Sequence, residues 1–133
     1  MLKKISHIGI AVHNIETAAK FYQKLGLEIE SIEVVESQKA RVAFISIGDV
    51  RIELLEPTSD QSAVEKFLEK KGEGIHHLAL STDNLTERLT EIEEKGIRVI
   101  DKVPRPGAHN ANIAFLHPKS THGILLELCE EPH

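Results

Sequence analysis

The sequence predicts an α+β fold: one domain, residues 1–133, built from two tandem βαβββ modules at 1–70 and 71–133. The first observation behind this is an internal repeat, which has to be sought before elements are assigned. His7-Ile-Gly-Ile-Ala-Val-His-Asn lies over His77-Leu-Ala-Leu-Ser-Thr-Asp-Asn without a gap, and Gly26 then falls on Gly96. Further on, Ala43-Phe-Ile matches Ala114-Phe-Leu, and Ile52-Glu-Leu-Leu-Glu-Pro matches Leu126-Glu-Leu-Cys-Glu-Glu-Pro. Four matches in the same order are hard to assign to chance. The second observation is that each copy switches from a two-residue to a helical apolar period and back.

The elements follow in order. Ile5–Val12 alternates as a strand, with Ile8, Ile10 and Val12 on one face. Asn14 is a suitable N-cap, and Ile15, Ala18, Tyr22 and Leu25 recur at helical spacing before Gly26 ends the helix. Strands are expected at 27–36, 39–47 and 50–56, and a connecting helix at Ala63–Lys71 stopped by Gly72. In the second copy, Asn84 and Glu87 have the spacing of a capping box, and Leu85, Leu89 and Ile92 form the apolar stripe before Gly96. Strands at 97–102, 111–117 and 124–130 complete it. Helices on one face of mixed sheets leave the other faces able to close around a ligand.

Composition removes several functions. Hydrophobic residues are 41% and charged residues 28%, a globular balance. A chain of this length buries roughly two-thirds of its unfolded surface, enough for a core without disulfides. No apolar run approaches the roughly 20 residues of a membrane span. The apolar run after Met-Leu-Lys-Lys is too short for a secretory leader, and the single Cys129 excludes a disulfide framework, so a cytoplasmic protein is expected. The net charge of −5 and 4% aromatics speak against nucleic-acid binding. Eight histidines stand out, because imidazole binds metals and moves protons near neutrality.

Two of those histidines recur at equivalent positions. His7 shares its strand face with Gly9 and Ala11, and His77 with Ala79 and Ser81, so both point to sides lined by small residues. Glu53 and Glu127 lie within apolar strands, where a carboxylate is costly unless exposed, paired or bound to a cation. Two His and two Glu around a pseudo-twofold axis make a candidate divalent metal site with positions left for substrate. Glu53 is the weakest member of the set, because Glu56 is close and a one-residue slip would exchange their faces. His76 is expected to be structural and His13 exposed. Cys129 shares the Glu127 face as a small packing residue, with no base beside it.

Paired modules with these His and Glu positions resemble the vicinal oxygen chelate (glyoxalase/bleomycin resistance/dioxygenase) superfamily. Within it, Gly74-Ile-His-His-Leu-Ala, Gly107-Ala-His, Phe115-Leu-His-Pro-Lys and Gly123-Ile-Leu-Leu-Glu-Leu are similar to the methylmalonyl-CoA epimerase family. The resemblance spans nearly the whole chain. It implies a curved mixed-sheet cup of glyoxalase-like fold around a metal held by His7, His77, Glu127 and Glu53. The implied ion is cobalt first, with manganese, nickel, zinc or magnesium as alternatives, and the implied assembly is a cytoplasmic homodimer. The implied reaction interconverts (R)- and (S)-methylmalonyl-CoA by proton abstraction at the α carbon through a metal-stabilised enolate. Epimerisation needs proton transfer on both faces, and the expectation assigns Glu127 to one and Glu53 to the other. Some family members place a glutamate on the third strand, but Arg41-Val-Ala-Phe has no carboxylate, so a metal-bound water or His109 remains open as a substitute.

Arg105-Pro-Gly-Ala-His109 reads as a turn whose amides could approach a carboxylate or thioester, or as plain connection. Lys39, Arg41, Arg105 and Lys119 are candidates for the CoA phosphates. The alternatives to the epimerase are lactoylglutathione lyase, whose usual first-strand ligand is Gln rather than His, and a non-catalytic small-molecule-binding resistance protein of the same fold. An Fe(II) dioxygenase and a thiol transferase that inactivates fosfomycin use similar ligand triads.

Overall fold

The computed structural model describes residues 2–132. Its elements are β1 (Leu2–Ala11), α1 (Ile15–Lys24), β2 (Ser31–Val35), β3 (Ala40–Ile47), β4 (Val50–Pro57), α2 (Ala63–Lys71), β5 (Gly74–Thr82), α3 (Leu85–Glu94), β6 (Arg105–Pro106), β7 (Asn112–Leu116) and β8 (Leu126–Glu130). The α+β class and the twice-repeated βαβββ order are those expected. No helix among the described residues is long and apolar enough to cross a membrane. The chain divides into two compact units: His7–His76, and the residues from His77 onward together with the start of β1.

In the unit His7–His76 the strand order is β2-β3-β4-β1, antiparallel from β2 to β4 and parallel between β4 and β1. α1 lies on one face. Ile15, Val12, Ala43, Ile45 and Leu54 form the core there, with Ala18 and Tyr22 packed against it. Asn14 caps α1 by accepting from the Thr17 N–H at 2.8 Å, as its residue type predicts. Leu25, expected to extend the apolar stripe, instead falls past the last helical residue and is 61% exposed. The strand expected from 27 begins only at Ser31. α2 matches the expected Ala63–Lys71, starting after a Ser62 hydroxyl that accepts from the Val64 N–H and stopping at Gly72.

In the other unit the order is β5-β8-β7-β6, again parallel where the first and last strands of the module meet. α3 packs Leu85 and Leu89 against Ala114, Leu116 and Leu128. The capping box does not form: Asn84 has φ +42° and its side chain makes no capping bond. The strand expected at 97–102 is reduced to a single bridge, Val99 to Leu116, and β6 takes the place beside β7. Pro106 is compatible with that position because β6 is an edge strand.

Candidate functional site

In the unit His7–His76, the parallel pairing sets His7 opposite Arg51 and Gly9 opposite Glu53. Glycine opposite the carboxylate leaves space for the Glu53 side chain to lean diagonally towards His7. His7 Nδ1 lies 3.2 Å from Glu53 Oε2, and both residues are buried. The ambiguity between Glu53 and Glu56 is resolved by register, since residues three apart on a strand face opposite sides. Glu56 points to the helix side, where Oε1 accepts from the Ile15 N–H at 2.9 Å and Oε2 from Arg41 Nη1 at 3.0 Å. Glu53 is left on the His7 side.

The unit that begins at His77 repeats this arrangement. Ala79 stands opposite Glu127, and His77 Nε2 lies 3.4 Å from Glu127 Oε1, again with both residues buried. Phe115 pairs with Glu127 across β7 and β8, and its ring meets the His77 ring edge to face at 5.5 Å. Glu130, three residues after Glu127, accepts from the Leu85 N–H at 3.1 Å. α3 is therefore capped from β8 as α1 is from β4, by the carboxylate at the equivalent strand position, and Asn84 is not needed. Cys129 packs with Ala111, Ile113 and Phe115, as a small core residue should.

Each pair offers two donors suited to a divalent ion. Imidazole nitrogen and carboxylate oxygen are donors that first-row divalent ions accept. A carboxylate held out of water needs a cation or other partners, and Glu53 and Glu127 are both buried, each beside an imidazole. The residues present therefore fit the metal that the sequence implies.

The other candidates divide. Arg41 is engaged by Glu16 at 2.9 Å as well as by Glu56, an arrangement that lowers the Glu16 carboxyl below its usual range through the hydrogen bond from Arg41. Arg105 lies over the Phe115 ring, with Nε 3.5 Å from Asp101. Lys39 Nζ donates to Gln61 at 3.0 Å, and Lys119 is exposed. The Gly107 N–H, one of the amides offered for substrate, donates to Ala111 O within the loop. His109 is exposed with φ +56°. His76 packs edge-on to Phe67, and burial pushes its imidazole down to about 4. On the third strand, Phe44 is the residue opposite Glu53 and Val42 is buried, so no carboxylate stands there.

Sequence reasoning overlooked Arg51. Its Nε and Nη2 donate to Glu53 Oε2 at 3.3 and 3.1 Å. The signal was available, because residues two apart on a strand share a face.

A family model described as the Glyoxalase/Bleomycin resistance protein/Dioxygenase superfamily matches residues 6–115. The chain belongs to that superfamily. It is 45% identical to the Bacillus subtilis protein YqjC, over 97% of this chain and 93% of that one. It is 34% identical to the human mitochondrial methylmalonyl-CoA epimerase, over 96% of this chain and 73% of that one. A solved variant of the Streptomyces coelicolor methylmalonyl-CoA epimerase, in complex with 2-nitronate-propionyl-CoA, superposes with a TM-score of 0.94 at 41% identity, covering 98% and 96% of the two chains. These relatives bear out the resemblance to the methylmalonyl-CoA epimerase family, and with it an isomerase.

Proposed function

We propose that this protein is a metal-dependent methylmalonyl-CoA epimerase whose two His–Glu pairs together hold one divalent ion. The observation that supports it best is the repetition of a buried pair, His7–Glu53 and His77–Glu127, at equivalent positions of the two modules. The ion would be cobalt first, then manganese, nickel, zinc or magnesium, and bound there it would supply Lewis-acid stabilisation of enolate charge. The reading also takes the protein to be a cytoplasmic homodimer.

The substrate's α carbon lies between a thioester carbonyl and a carboxylate, so its proton is acidic and the carbanion is planar and delocalised. In this reading the Glu127 carboxylate removes that proton from one face. The C–H electron pair moves into the thioester carbonyl. Glu53, which enters this direction of the reaction as the carboxylic acid, gives its proton to the α carbon from the opposite face, inverts it and is left as the carboxylate. Reversal of the two roles carries the reverse reaction, so both carboxylates need to be close to the substrate. The buried apolar residues beside them, Phe44 and Phe115, exclude water from the enolate.

The test is exchange of the α proton, followed by NMR in deuterated water. Metal-loaded protein is expected to incorporate deuterium into methylmalonyl-CoA with both epimers appearing, and stripped protein to lose this activity. Folded, metal-replete protein that gives no gain over the background overturns the proposal. Turnover of a glutathione hemithioacetal instead would move the assignment to lactoylglutathione lyase. Tight small-molecule binding that survives chelation would make it a binder.

A further inference from the structure

The two modules differ at one position beside their carboxylates. Two residues before Glu127 the chain carries Leu125, packed against Ala111, Ile113, Phe115 and Cys129. At the matching place before Glu53 it carries Arg51. The guanidinium donates twice to Glu53 Oε2, at 3.3 and 3.1 Å, and the same oxygen lies 3.2 Å from His7 Nδ1. The Arg51 side chain is 18% exposed while that of Glu53 is 4% exposed, so the cation reaches in from the edge to a carboxylate that water barely touches.

We propose that Arg51 is a built-in counter-ion for Glu53: a positioning residue that keeps this half of the site formed before the divalent ion enters and then competes with the ion for the same oxygen. The inference rests on the metal reading proposed above. A carboxylate as buried as Glu53 needs a positive partner, and a guanidinium supplies one permanently, because it stays charged at any working pH. Two donors from one planar group also hold the carboxylate in one rotamer. An arriving dication meets a like charge within a few ångströms of one of its ligands, and has to share Oε2 or displace the guanidinium. Arg51 therefore trades ion affinity for a preformed site. Leu125 makes no such trade at Glu127, so the two carboxylates are not equivalent partners.

The experiment titrates Mn²⁺ into stripped protein by calorimetry and follows urea unfolding in EDTA, for wild type, Arg51→Met, Arg51→Gln, Arg51→Lys, Glu53→Gln and the Arg51→Met/Glu53→Gln pair. Arg51→Met and Arg51→Gln are expected to bind Mn²⁺ at least tenfold more tightly than wild type, while unfolding at lower urea in EDTA. Arg51→Lys, which keeps the charge, should stay within threefold of wild type. In the Glu53→Gln background, Arg51→Met should change affinity less than threefold. A merely structural arginine would weaken binding when lost, so unchanged or weaker binding in both neutral variants, with wild type binding normally, overturns the proposal. Absence of Mn²⁺ binding by wild type and variants alike overturns the metal reading, and this inference with it.

Discussion

Glu56 and Glu130 occupy equivalent places and cap equivalent helices, so their removal offers an internally controlled measurement. Glu56 accepts from the Ile15 N–H at 2.9 Å and also from Arg41 at 3.0 Å. Glu130 accepts from the Leu85 N–H at 3.1 Å. Loss of a capping acceptor costs about 1 kcal/mol, so Glu130→Ala should cost about that. Glu56→Ala loses the same cap and a charge-assisted bond, taken at about 1.2 kcal/mol, below the usual range because the Arg41 side chain is 31% exposed. Arg41 is not stranded by this change, since Glu16 still binds it at 2.9 Å. The expected total is about 2.2 kcal/mol. Unfolding entropy of about 2.1 cal/mol/K per residue gives roughly 280 cal/mol/K for this chain, hence Tm losses of about 8 °C for Glu56→Ala and about 4 °C for Glu130→Ala. Scanning calorimetry in EDTA, which removes any contribution from bound ion, measures both. An equal or larger loss for Glu130→Ala, or a loss under 2 °C for Glu56→Ala, would refute the capping argument and the register that separates Glu56 from Glu53.

Three further outcomes are expected. Glu127→Gln should keep the fold and abolish most deuterium exchange into methylmalonyl-CoA, and full turnover by metal-loaded Glu127→Gln would remove it from proton transfer. A Cβ at Gly107 would stand 2.8 Å from Ile113 Cγ2, a β-branch that cannot swing away, so Gly107→Ala should cost about 1–3 kcal/mol in urea unfolding, and much less in an Ile113→Ala background. Burial holds His76 down to about 4 from its ordinary value of 6.5, so between these values the unfolded chain binds the extra proton. Stability from this group is then complete above pH 6.5 and falls as pH drops towards 4, by at most about 3 kcal/mol. His76→Phe should lose less stability than wild type between pH 7 and 4.5, and parallel curves would show that the group does not contribute.

The repeat, the α+β class, α1, α2 and the choice of His7, His77, Glu53 and Glu127 as candidates were all legible in the chain. Each rests on local spacing: a strand or helix period, a cap such as Asn14 or Ser62, or the same residue type recurring in two copies. Similarity to relatives over nearly the whole chain then supports the family that those residues suggested. What local spacing could not decide was the choice between partners far apart in sequence. Asn84 looked like a cap, but Glu130 takes the N–H of Leu85, 45 residues before it, and leaves Asn84 free to turn with positive φ. The stretch 97–102 had a strand's composition, but β7 pairs with Arg105–Pro106 and keeps only one bridge to Val99. Glu53 and Glu56 were interchangeable until the parallel pairing of β1 with β4 set one against His7 and the other against a helix end. Arg51 carried no assignment in the sequence, and that same register places it against Glu53. A residue's type sets which bonds it can make, whereas strand register and long-range packing select which of them it does make.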